Sequence, residues 1–198
     1  MTYNLSGLGD AASVTVVSGS SLARVHAAFG VDPRTSEVAT GDDVYGGTDG
    51  FEAAVCASQV DDHVMVVEVN GYFGSLTSTL RNARTEGTRC GNVFWNHDDD
   101  LPQALLIDSD GSVHEVRTWR SSDLESLPPA LRPLGSELIA HAQEYDALDL
   151  DNTQIIGYYN GFVDTLGRML ETFTGLGFPA DLTNIAQTGL RRDPDALP

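Results

Sequence analysis

The apolar positions change period along the chain. Between residues 51 and 118 they alternate: in 63–70 (HVMVVEVN), Val64, Val66 and Glu68 fall on one face of an extended strand and Met65, Val67 and Val69 on the other. β-branched and aromatic enrichment predicts further strands over 13–18 (SVTVVS), 51–60, 90–97 (CGNVFWNH), 103–108 and 112–118. Asp61-Asp62 reads as a tight turn between two of them, Asn70-Gly71 as another turn, and Ser109-Asp110-Gly111 as a hairpin tip. Two short helices interrupt this pattern. Leu22, Val25, Ala28 and Phe29 fall at helical spacing in 20–29, and 75–86 turns Leu76 and Leu80 inward and Arg81 and Arg84 outward. Residues 40–50 (TGDDVYGGTDG) are too polar for an element.

Past residue 120 the period becomes helical. A short helix is predicted over 121–127 and a longer one over 136–148. The strongest signal follows: Ile155, Tyr159, Phe162, Leu166, Met169 and Phe173 recur at spacings of four and three, and Ile156, Val163 and Leu170 widen the stripe. Asp151 or Asn152 can start this helix, and Gly175, Gly177 and Pro179 end it. The stripe fits either the protein's own core or the seam of a homodimer, since its spacing runs close to heptads. The last residues, 191–198, read as a tail. The pattern predicts an α+β protein: a mainly antiparallel sheet of about five or six strands with helices on one face, then a C-terminal helical subdomain. The sheet domain spans 1–119, and the extension 120–198 packs on it or mediates oligomerisation.

Composition changes this picture mainly through charge. The 198 residues carry 29 acidic and 11 basic side chains, a formal net charge of −18, and every basic residue is arginine. Lysine-dependent chemistry, such as a Schiff base or a P-loop, is excluded. The acidity is spread evenly, 14 acidic against 5 basic in residues 1–100 and 15 against 6 in 101–198, so it is no tail. Such a field repels phosphate backbones and argues against direct nucleic-acid binding. It suits docking on a basic protein partner, mimicry of nucleic acid to block a DNA-binding protein, or plain solubility. No stretch is long and apolar enough to span a bilayer, and Met1–Asp10 lacks a basic, then apolar, leader. A cytoplasmic setting with Cys56 and Cys90 reduced and buried is expected, a disulfide between them being the alternative.

Candidate chemistry concentrates in CGNVFWNHDDD (90–100), where Asn96, His97 and Asp98–Asp100 could serve an enzyme. No H-x-x-x-H, H-E-x-x-H or C-x-x-C spacing accompanies them, so no metal or cofactor is expected. Asp108-Ser109-Asp110-Gly111 starts like a calcium loop but lacks its later acidic ligands. Phe94 and Trp95 must face opposite ways on their strand. Tyr72 and Phe73, in the Asn-Gly-Tyr-Phe-Gly turn, together with Trp95, Asn96 and His97, form the expected binding surface.

The run EVNGYFGS (Glu68–Ser75), the Leu80–Arg84 helix, NVFWN (Asn92–Asn96) and SVTVV…SLARVHAAFGVDP occur in order. Together they resemble a small actinobacterial and phage domain family of unknown function, over about residues 13–118. The resemblance implies a compact α+β domain and assigns no catalytic residue; the region past 120 departs from it. The expected function is a non-enzymatic acidic protein-binding module of an immunity-like, inhibitory or regulatory kind. The nucleic-acid mimic and the Asn96/His97 enzyme are the alternatives.

Overall fold

The structure is a computed structural model that describes residues 5–8, 11–31, 37–39, 54–69, 71, 73–96, 102–117, 119–147, 152–178 and 187–191. The strands are β1 (Ala11–Ser18), β2 (Glu37–Ala39), β3 (Ala54–Val60), β4 (His63–Val69), β5 (Cys90–Asn96), β6 (Gln103–Ile107), β7 (Val113–Val116) and β8 (Gln187–Arg191). The helices are α1 (Leu22–Ala28), α2 (Thr77–Ala83), α3 (Asp123–Ser126), α4 (Arg132–Ala147) and α5 (Asn152–Thr174). Single 3-10 turns lie at Leu5–Leu8, Phe73–Ser75 and Pro129–Leu131.

The strands form one sheet in the order β2-β8-β3-β4-β1-β5-β6-β7, with every pairing antiparallel. The α+β class and the antiparallel sheet are as the alternation predicts; the strand count is larger. The additions are β2, too short to register as a pattern, and β8, in a C-terminal stretch where no alternation marks a strand. β8 inserts between β2 and β3, so the region beyond residue 120 returns a strand to the sheet.

Valine-rich strands alternate faces, and the sheet therefore has two cores. Val14, Val16, Met65, Val67, Val93, Trp95 and Leu106 point to the face covered by α4 and α5, where they meet Leu138, Phe162, Leu166, Met169, Leu170 and Phe173. Val17, Val64, Val66, Cys90, Leu105 and Ile107 point to the other face, which α1 and α2 cover through Val25, Phe29, Leu80 and Ala83. The helices of the first part thus share one face, and the C-terminal pair takes the opposite one. The α5 stripe from Phe162 to Phe173 is filled by the chain's own sheet. Ile155 and Tyr159 lie in the early turns of α5, where the structure describes the backbone alone. Gly175, at φ +81°, ends α5 at the predicted place, its N–H returning to Glu171 O at 2.8 Å.

The junction between sheet and helices is pinned by Trp119. Its backbone sits at φ +47°, a conformation that a bulky side chain rarely adopts. The indole N–H donates to Pro102 O at 2.6 Å, and the ring meets Phe162 edge-on at 5.6 Å between centroids. Arginines, the only cations, close polar ends elsewhere. Arg24 donates to Asn82 O near the end of α2, Arg84 to Asp108 O in the β6–β7 turn, and Arg89 to Phe173 O at the end of α5. The last cap is favourable because a helix C-terminus is the negative end of its dipole. Among the described residues no helix is long and apolar enough to cross a membrane.

Candidate functional site

The central strands β4, β1 and β5 would be expected to present only apolar side chains to the α1/α2 layer. They carry a polar island instead. Ser13 and Thr15 on β1, Glu68 on β4 and Asn92 on β5 are all buried, Glu68 completely. Register explains their meeting: Ser13 lies opposite Glu68, and Thr15 opposite Asn92. The Asn92 side-chain amide donates to Ser13 Oγ (2.6 Å), Thr15 Oγ1 (2.9 Å) and Val14 O (3.3 Å). Because the Val14 carbonyl can only accept, the nitrogen of that amide must be the atom facing β1.

The Phe73–Ser75 turn seals the island. Gly74 N–H donates to Glu68 Oε2 at 2.8 Å. A Cβ on Gly74 would stand 2.1 Å from Thr15 Oγ1 and 2.5 Å from Asn92 Nδ2, so backbone packs directly on the polar groups and only glycine fits. Gly71 approaches Glu68 in the same way, its absent Cβ 2.8 Å from Glu68 Cβ. Gly71 and the Phe73–Ser75 turn are therefore each clamped to the middle of the sheet through a glycine. Burying a carboxylate is costly unless it is hydrogen-bonded, and the backbone N–H of the turn provides one such bond.

The expected binding residues are scattered by this geometry. Tyr72 and His97 lie outside the described residues, as do Asp98–Asp100. Phe73 opens the clamped turn, where its backbone is described. Trp95 is corrected: it is 1 % exposed and belongs to the α4/α5 core, because the alternation that sends Phe94 toward the polar face sends Trp95 away from it. It cannot touch a partner. Asn96 is half-buried on the same strand face as Asn92, four residues and about 13 Å further along β5. The residues that do converge, Ser13, Thr15, Glu68 and Asn92, were missed. Their one signal was local, Glu68 standing where the alternation calls for another valine.

The other reactive groups are quiet. Cys56 and Cys90 are both free and buried. Strands β4 and β1 separate them, about 14 Å, which is beyond the reach of a disulfide. Burial pushes the Cys90 thiol up to about 12, against a smaller opposing effect of Arg84, so it stays protonated and unreactive. In the Asp108–Gly111 turn, Asp108 Oδ1 accepts from Ser109 N and from the guanidinium Nε of Arg89, and Asp110 Oδ1 accepts from Ser112 N. Slight burial works to raise the Asp108 carboxyl, but the Ser109 and Arg89 contacts outweigh it and hold it below its ordinary range. Among the described residues no group of three or more His, Cys, Asp or Glu side chains is placed to hold a metal. No protein-family description, curated protein or solved structure matches the chain.

Proposed function

We propose that the chain is a non-enzymatic, acidic protein-binding module, of the immunity-like, inhibitory or regulatory kind, that presents the Phe73–Ser75 turn from a rigid sheet. The observation that carries this reading is the clamp: Gly74 seated on Thr15 and Asn92, with its N–H on Glu68. A turn fixed in advance loses little conformational freedom on association, which favours affinity. The same close packing fills the space that a substrate at the polar island would need. The charge of −18 selects a basic partner and speeds encounter at low salt. A reducing, cytoplasmic setting accords with the two free thiols.

The test is capture on the immobilised full chain at low and high salt, with Tyr72→Ala/Phe73→Ala alongside. The reading expects a basic protein retained at low salt, released by salt and lost with the double variant. It fails if nothing is retained, or if retention ignores the turn. Retention of a DNA-binding protein that duplex DNA displaces would move the assignment to nucleic-acid mimicry.

A further inference from the structure

The N-terminal turn Leu5–Leu8 docks on α5 in an unusual way. Leu5 is fully buried, and its side chain lies over Gly167, where a Cβ would stand 2.8 Å from Leu5 Cδ1. The Leu5 backbone N–H donates to the carboxylate of Asp164, less than one helical turn before that glycine. Asp164 Oδ1 is buried and has no hydrogen-bond partner. The strap thus donates to a carboxylate, one of whose buried acceptor atoms is left unsatisfied.

We propose that Leu5–Leu8 is a strap whose docking on α5 is controlled by the charge on Asp164, tightening as the medium acidifies. Covering an ionised carboxylate with one acceptor atom unpaired costs more than covering its neutral form. Burial accordingly raises the Asp164 carboxyl above its ordinary range, and Arg168 and the Leu5 N–H oppose this only in part. Among the described residues, the charged and titratable groups near Asp164 lie on α4 and α5. Arg168 follows one turn later on α5; on α4, Glu137 is bound to that Arg168, and His141 stands against the Phe162 ring. The strap itself, Leu-Ser-Gly-Leu, brings no charge.

The sign follows from linkage. A carboxyl raised by docking binds more protons in the docked state, so docking is favoured at low pH and weakens as pH rises through the raised value. The buried His26 and the lowered Asp108 and Glu137 carboxyls act in the opposite sense, favouring the folded chain as pH rises. A strap that tightens while the body weakens is therefore diagnostic.

The experiment is hydrogen exchange of the Leu5–Leu8 amides in the full chain from about pH 3.5, below the ordinary carboxylate value, to about pH 7.5, corrected for intrinsic rates. Wild-type protection should fall across that range, by about tenfold for each unit by which docking raises the carboxyl. Asp164→Asn should hold the low-pH protection throughout. Gly167→Val, or Leu5→Ser should that variant misfold, gives the undocked baseline. The proposal is overturned by a flat wild-type profile, by a pH response that survives in Asp164→Asn, or by one that vanishes in His141→Gln instead.

Discussion

The two faces of the central sheet are built from the same strands and differ in what they bury. Toward α4 and α5, Val14, Val16, Val93, Trp95 and Leu106 meet Phe162, Leu166 and Leu170, and the polar Ser18 comes only at the end of β1, where it donates to Thr174 O. Toward α1 and α2, the intervening residues of β1, β4 and β5 include Ser13, Thr15, Glu68 and Asn92, roofed by a glycine turn. The first face contributes stability through apolar area. The second spends some of that area on hydrogen bonds that replace those to water with little net gain. What the polar face gains is position: the 73–75 backbone can sit in one place only.

This contrast can be broken in graded ways. The largest effect is expected on the apolar face, where Phe162→Ala should cost about 3–5 kcal/mol in urea denaturation, the ordinary cost of deleting a buried aromatic. Gly74→Ala on the polar face should cost about 1–3 kcal/mol through overpacking. It should also raise exchange of the 73–75 amides well beyond the global change, which Phe162→Ala will not do.

Replacing the amide and the two hydroxyls it reaches together (Ser13→Ala, Thr15→Val, Asn92→Leu), with Glu68 kept, should cost less than Asn92→Ala alone, since the single change strands two buried hydroxyls at about 1–3 kcal/mol. A triple variant that is less stable than the single one would show the network to be a net source of stability.

Titration gives a milder test of the polar side. Burial lowers His26 below its ordinary value, so the unfolded chain binds its proton first. Stability should decline as pH falls from about 6.5 toward that lowered value, then level off. His26→Leu should flatten this part of the pH profile of the denaturation midpoint. The smallest effect is expected at Gly161, exposed on α5 with nothing within 4 Å of an added Cβ. Gly161→Ala should raise stability by about 0.5–1 kcal/mol, the helix preference alone. It serves as the unclamped counterpart of Gly74→Ala.

Much of the framework is legible in the sequence because it is local. The 64/66/68 and 65/67/69 split of β4, the opposed Phe94 and Trp95, the Asp61-Asp62 turn and the end of α5 at Gly175 follow from periods of two and 3.6 and from the backbone freedom of glycine. The candidate site is not local. Asn92 reaches Ser13 across 79 positions and Thr15 across 77, and no pattern within one strand announces which neighbour it will have. Trp95 misled for the related reason that an aromatic beside a polar turn looks the same whether its face is open or covered.

By itself the sequence determined most of the element types, the split of β4 and β5 residues between two faces, the absence of lysine chemistry and an acidity spread through both halves of the chain. Those depend on composition and on neighbours a few residues apart. Only the tertiary structure decided the strand order, the return of β8 beside β3, the burial of the α5 stripe within its own chain and the meeting of Glu68 with the glycine turn. Each is a contact between segments far apart in the chain, whose gain in burial must outweigh the entropy of closing a long loop. That balance is struck once, by the whole fold.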